Sequence, residues 1–191
     1  RLGATPRFVD SGPDFHPTPR ALAQACCADT RAIVVVPLFG EPFDIPALRD
    51  ELRARGRQDI AIVEDAAQSL GALLCSGPTP RVVGTLGDIS TTSFFPTKNL
   101  GGYGDGGAVV CATAELSARV RSLRAHGSTR KYHHHEIGYN ARLDALQAAL
   151  LRERLRDVDE DIALRRANAA AYHRELSAAG THSVAGVRLP K

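Results

Sequence analysis

Lys98 stands in the run Thr92-Ser93-Phe94-Phe95-Pro96-Thr97-Lys98-Asn99-Leu100, after a strand-like stretch and a proline and just before a glycine-rich loop. A protonated, hydrated lysine amine is a poor nucleophile. Desolvation or a cationic neighbour fits it for Schiff-base chemistry. The plain alternative is a surface lysine. Two features weigh against that. The chain has only three lysines and otherwise uses arginine, and the neighbours of Lys98 are apolar or small.

A second candidate is Glu64-Asp65-Ala66-Ala67-Gln68, directly after the apolar run Ile60-Ala61-Ile62-Val63. In parallel α/β sheets ligands bind beyond the carboxyl ends of strands, so an acid there is placed to meet one. A helix cap or a solvated loop acid is the alternative. A third is Gly101-Gly102-Tyr103-Gly104-Asp105-Gly106-Gly107. Its glycines permit close approach of a ligand to the backbone, but the spacing is not that of a phosphate loop, and a tight turn before the next strand explains it equally well. The adjacent His133, His134 and His135 invite a metal reading. Neighbours in sequence do not face one ligand on a helix, and no acid or cysteine pattern completes a site, so no metal is expected. A polar loop facing a partner molecule is the better reading.

The elements that must position these residues alternate in type. Phe8-Val9 reads as the end of a first strand. Thr18 followed by Pro19 reads as a helix start. Residues 32–36, 60–63, 89–95 and 108–111 read as buried strands. Asp44 caps a helix whose Ile45, Leu48 and Leu52 share one face and which Gly56 ends. Residues 114–125 read as a helix. From about Ala141 to Ala178 the pattern is one long helix or two abutting ones, with Leu143, Leu146, Leu150, Leu155, Val158 and Ile162 at helical spacing. Alternating strands and helices predict an α/β protein with a mostly parallel sheet covered on both faces.

The 191 residues, 43% hydrophobic and 24% charged, have ordinary globular composition. A net charge of +3 spread over mixed-sign helices gives no expectation of nucleic-acid binding. No apolar run reaches the roughly 18 residues of a membrane-spanning helix. Cys26, Cys27, Cys75 and Cys111 form no Cys-x-x-Cys pair and read as free thiols in a reducing cytoplasm. Position 1 is arginine, and the expectation is of a piece of a longer product.

Together the segments resemble the DegT/StrS-type family of pyridoxal-phosphate-dependent sugar aminotransferases. Ile62-Val63-Glu64-Asp65-Ala66-Ala67-Gln68-Ser69-Leu70-Gly71-Ala72 resembles the family's cofactor-ring motif. Gly87-Asp88, then Ser93 to Gly101 and Gly104-Asp105-Gly106-Gly107-Ala108-Val109, resemble its lysine motif. Gly138-Tyr139-Asn140-Ala141-Arg142-Leu143-Asp144-Ala145-Leu146-Gln147 resembles the segment that opens its long helix. The order and spacing of these motifs over residues 60–150 make the resemblance specific.

The resemblance implies the large domain of the aspartate aminotransferase fold type I over residues 1–140. Residues 141–191 would form a long helix leading into a truncated small domain. The implied cofactor is pyridoxal 5'-phosphate. Lys98 would hold it as a Schiff base and move the proton. Asp65 would pair with the pyridinium nitrogen, Gln68 would contact the ring or its hydroxyl, and Ser93 its phosphate. Asn140 would reach the phosphate of a neighbouring subunit's cofactor, in a homodimer with shared active sites. Tyr139, His134 and Tyr103 would line the substrate pocket. The implied reaction moves an amino group, with glutamate as donor, to a keto group of a nucleotide-activated sugar. The Thr92–Pro96 and Tyr132–His134 runs lean towards 3-oxo sugars, for polysaccharide or secondary-metabolite synthesis. Two other readings stay open. One is a regulatory or scaffolding member without catalysis; the other is a non-covalent phosphate or nucleotide module built on residues 101–107.

Overall fold

Three of the four apolar runs from Ala32 onwards pair in parallel. The structure, a computed structural model, describes residues 2–130, 132–180 and 189. In chain order the elements are α1 (Pro19–Ala25), β1 (Ala32–Val35), α2 (Ile45–Ala54), β2 (Ala61–Asp65), β3 (Leu73–Leu74), β4 (Arg81–Val82), β5 (Ile89–Ser93), β6 (Gly107–Cys111), α3 (Ala114–Arg124), β7 (Ser128–Arg130), β8 (His133–His134), α4 (Ala145–Arg154) and α5 (Val158–Ala178). The main sheet has the order β1-β2-β5-β6; β1, β2 and β5 are parallel and β6 runs against β5. The tail and Lys131 that the sequence reading drew on lie outside the described residues, Leu189 excepted.

The helix starts follow their side chains. Thr18 Oγ1 accepts from Ala21 N, Asp44 Oδ1 from Ala47 N, and Thr113 Oγ1 from Leu116 N, each relieving a backbone donor that the first turn leaves unpaired. Gly56, at φ 67°, turns the chain out of α2 in the left-handed region that glycine adopts without strain. Ile45, Leu48 and Leu52 of α2 and Leu22 and Ala23 of α1 pack onto Ile33, Val35 and Ile62, which gives the main core. A second, smaller core gathers Leu100, Leu151 and Val158 with Leu70, Phe94, Leu143 and Ile162, so α4 and the start of α5 pack over the loops that follow β2 and β5.

Three expectations need correction. Phe8 and Val9 form no strand: Val9 packs on the main core, but the segment has no ladder partner. Among the described residues the sheet is covered on one face only. Side chains alternate along a strand, and while Ile33 and Val35 are buried under the helices, Val34 between them is 62% exposed. Of the two forms the pattern at 141–178 allowed, the structure has two helices, broken at residues 155–157, but their shared apolar face is misassigned. Of the apolar positions assigned to their common face, Leu146 and Leu155 are exposed, and the buried anchor of α4 is Leu151. The short pairs β3–β4 and β7–β8 are too brief to leave a periodic signal. Among the described residues no helix is long and apolar enough to cross a membrane.

The adjacent Cys26 and Cys27 sit in different environments. Burial pushes the Cys26 thiol up, whereas the Thr30 hydroxyl at 3.6 Å holds exposed Cys27 below the usual thiol range. Iodoacetamide at pH 8 is therefore expected to label Cys27 before Cys26, because the thiolate is the nucleophile. Peptide mapping over a time course reads this directly; equal rates would contradict it.

Candidate active site

Neighbouring parallel strands bring their carboxyl ends to one edge. Here β2 and β5 are neighbours, and Asp65, the last residue of β2, stands in register with Thr91. Along β2 the side chains alternate. Ile62 and Glu64 are buried beneath the helices, and Val63 and Asp65 point to the uncovered face. Asp65 Oδ1 accepts from Ala67 N at 3.2 Å and lies 3.5 Å from the Thr91 hydroxyl. Its Oδ2 has no hydrogen-bond partner among the described residues. Three residues on, Gln68 Oε1 accepts from Phe39 N at 3.1 Å.

Ser93 ends β5, and its Oγ accepts from Phe95 N at 3.2 Å. The chain then makes a tight turn in which Lys98 N donates to Phe95 O at 2.9 Å. Asn99 Nδ2 donates to Leu70 O at 2.9 Å, which ties the lysine turn to the segment that follows Asp65. Lys98 is half-buried, and its ammonium makes no hydrogen bond or ion pair among the described residues. The structure thus brings Asp65, Gln68, Ser93 and Lys98 to one edge.

The glycine loop after Lys98 is held from α4. Gln147 Oε1 accepts from Tyr103 N at 2.9 Å, Arg154 donates to Gly101 O at 2.7 Å, and Gly102 N donates to Phe94 O at 2.7 Å. A Cβ added at Gly102 or Gly104 would lie 2.9 Å from the Gln147 amide. Two of the loop's backbone donors, Gly102 N and Tyr103 N, are thus already engaged within the fold. Sequence reasoning gave Gln147 and Arg154 no role; Gln147 lies within a recognisable motif, but only the fold shows what it touches. A Cβ at Gly101 would collide with the Pro96 carbonyl. Gly101→Ala is expected to cost about 2 kcal/mol, read as a lowered urea midpoint of the full-length protein; an unchanged midpoint would contradict this packing.

Tyr139, Asn140 and His134 lie elsewhere. Asn140 forms an isolated bridge with Ala125, Tyr139 N donates to Leu123 O at 2.6 Å, and His134 Nδ1 lies 3.0 Å from His126 O. These bonds tie the segment to the carboxyl end of α3, and none reaches the β2–β5 edge. Tyr103 is exposed on the glycine loop. Among the described residues no three His, Cys, Asp or Glu side chains converge as metal ligands.

The residue beside Asp65 was also missed. Glu64 is fully buried. Its Oε1 accepts from Gly84 N at 2.8 Å, and its Oε2 from Leu86 N at 2.9 Å, Gly87 N at 3.2 Å and the Ser90 hydroxyl at 2.9 Å. Asp88 adds to this brace: its Oδ2 accepts from Ile62 N at 2.7 Å and its Oδ1 from Arg49 at 3.0 Å. Two acids that look like members of motifs therefore fix the strand that presents Asp65.

Comparison with known proteins bears on this arrangement. A family model described as the DegT/DnrJ/EryC1/StrS aminotransferase family matches residues 1–188. Among curated relatives, a "Pleiotropic regulatory protein" of Geobacillus stearothermophilus is 42% identical over 94% of this chain and 46% of its own length. A UDP-2-acetamido-2-deoxy-3-oxo-D-glucuronate aminotransferase of Pseudomonas aeruginosa is 41% identical over 94% of this chain and 48% of its own length. The crystal structure of DesV from S. venezuelae in complex with a ketimine intermediate superposes with a TM-score of 0.81, at 45% identity, over 91% of this chain and 45% of that one. The chain thus spans about half the length of the curated relatives it matches.

Proposed function

The chain belongs to the DegT/DnrJ/EryC1/StrS aminotransferase family, and on that premise we propose that it is part of a pyridoxal-phosphate-dependent transaminase. The enzyme would move an amino group from glutamate to a keto group of a nucleotide-activated sugar. The observation that carries this reading is the placement of Asp65 at the carboxyl end of β2 and of Lys98 in the turn just beyond the neighbouring parallel β5, each with a functional atom that has no partner among the described residues. A scaffold has no physical need for that pair.

The residues suit the cofactor. Asp65 Oδ2, unpartnered and facing the uncovered side of the sheet, would accept a charge-assisted hydrogen bond from the cationic ring nitrogen. The Thr91 hydroxyl and the Ala67 amide at Oδ1 would keep the carboxylate oriented. The Ser93 hydroxyl accepts from Phe95 N and keeps its own proton for a phosphate oxygen. The Gln68 amide would lie against the ring, its orientation set by Phe39 N. When bound, pyridoxal phosphate supplies an electron sink for the carbon that gives up its proton. Lys98 Nζ would hold the cofactor and then, once released, take that proton and return it at the neighbouring atom. The two ties that set its turn, Lys98 N to Phe95 O and Asn99 to Leu70 O, limit how far the amine can wander.

Residues 1–140 would carry the cofactor half, and α4 and α5 would lead towards a second domain. Asn140, exposed and away from the β2–β5 edge, would serve the site of a second copy in a homodimer. The 41% identical relative named for a 3-oxo-glucuronate supports a UDP-linked 3-oxo sugar as substrate. Four free cysteines support a cytoplasmic setting. The relative named as a regulatory protein favours a second reading, a member that keeps the fold without catalysis.

The absorption spectrum of the full-length protein separates the two. Adding pyridoxal phosphate is expected to produce a visible band that glutamate then bleaches. A folded full-length protein that develops no such band would sink the transaminase reading in favour of the regulatory one.

A further inference from the structure

The five glycines at 101–107 are not there for their backbone angles. None of them has a positive φ. Any residue could adopt the conformation; what the loop lacks is room. A Cβ at Gly106 would lie 2.9 Å from Leu143 Cδ1, just as one at Gly102 or Gly104 would press on Gln147. Every second residue from Gly102 to Gly106 therefore turns a bare Cα towards α4 or the residue that leads into it. The glycine run is a flat seat for a helix.

Gln147, Leu151 and Arg154, four and then three residues apart, fall on one face of α4. Leu151 packs on buried Leu100, and Arg154 holds the carbonyl of Gly101. Gly101 in turn lies against the Pro96 carbonyl, which closes the turn around Lys98. The chain on the carboxyl side of the lysine is thus anchored to α4 at residues 100, 101 and 103, while the Lys98 ammonium has no partner among the described residues. The contacts differ in kind. Apolar packing is non-directional and lets a flat loop slide along the helix. The hydrogen bond from Tyr103 N to Gln147 Oε1 is directional and fixes one register.

We propose that Gln147 is a positioning residue for Lys98, setting through Tyr103 N and the glycine seat where the amine stands relative to Asp65. The proposal rests on the transaminase reading for its reaction. Gln147 acts only through the loop.

Two variants of the full-length protein test it. Gln147→Met fills the same space and removes the acceptor; Gln147→Glu keeps an acceptor there. In the cofactor-free protein, Gln147→Met is expected to speed hydrogen exchange at residues 101–106 about tenfold, the loss of one hydrogen bond. Reductive methylation of Lys98 by formaldehyde and cyanoborohydride, mapped by peptide mass, should quicken several-fold relative to the protein's other lysines. In the cofactor-loaded protein, the limiting rate at which glutamate bleaches the visible band should fall about tenfold, because small misplacements of a reacting group cost rate steeply. The half-saturating glutamate concentration should stay near wild type, and Gln147→Glu should resemble wild type throughout.

Unchanged exchange in Gln147→Met overturns the seat. Faster exchange with Lys98 methylated at the wild-type rate overturns the link to the lysine. Gln147→Glu behaving as Gln147→Met overturns the acceptor role. A raised half-saturating concentration with an unchanged limiting rate places Gln147 on the substrate and also overturns the proposal. If Gln147→Met does not fold, Gln147→Asn, whose amide falls short by one methylene, is read in the same way. The wild-type band decides the transaminase reading separately. Without that band the reading is lost, and the methylation rates still decide whether α4 places Lys98.

Discussion

Lys98→Arg in the full-length protein is expected to lower transamination by about 10³-fold or more while leaving the fold intact. Arginine preserves the positive charge and nearly the length, but its guanidinium stays protonated and forms no stable imine. It can therefore neither hold the cofactor covalently nor take the substrate proton, and the proton transfer alone is worth about 10² to 10⁴ in rate. The Lys98 ammonium has no partner among the described residues, so the change in stability should stay within about 0.5 kcal/mol. Turnover with glutamate and the melting temperature are the two readouts. Activity within tenfold of wild type would remove Lys98 from the chemistry. The same variant tests the non-covalent module, in which phosphate-linked function would survive the substitution whole.

Glu64→Ala should have the largest effect on stability. It strands three backbone amides and the Ser90 hydroxyl in a site that excludes water. Removing one partner from a buried charged network costs about 3 to 5 kcal/mol. Unfolding of the full-length protein in urea should show a loss of that size. Hydrogen exchange should speed up first at Gly84, Leu86 and Gly87, whose amides the carboxylate holds. Glu64→Gln should fall between, since an amide still accepts at one oxygen but turns a donor towards donors. A loss below about 1 kcal/mol for Glu64→Ala would mean that the carboxylate does not hold this loop.

Much of this arrangement could be read before the fold was known. The apolar runs at 32–36, 60–63 and 89–95 become strands because a sheet interior selects β-branched stretches, and Thr18, Asp44 and Gly56 mark helix ends through chemistry that acts within three residues; the run at 108–111, expected to be buried, is instead the edge strand β6, with Val109 and Val110 exposed. The misreadings share a cause. Whether Val9 joins a ladder and which leucines of α4 are buried both depend on partners distant in sequence. Leu146 and Leu151 lie on different sides of α4, and only the second meets Leu100 and Val158. Among the site residues, Asp65 and Lys98 stood out because each comes at or soon after the end of an apolar strand, whereas Gln68 and Ser93 were legible only through the family resemblance. Glu64, one residue away and pointing the opposite way, needed the Gly84–Gly87 loop to explain it.

The antiparallel pairing of β5 with β6 has a consequence for motion. Ser93 and Gly107 are register partners, so residues 94–106 leave the sheet and re-enter it at one place. Lys98 rides on a short closed ring of chain whose closure costs little entropy. Asp65 ends an inner strand paired on both sides. The two groups thus belong to units of different resistance to opening. Fraying at the Ser93–Gly107 neck, together with release of the Gln147 staple and of the Asn99 and Arg154 ties, would swing the amine away while the carboxylate stayed in place. Such a ring can admit or discharge a bound group through a local breath of thirteen residues, without parting β2 from either neighbour.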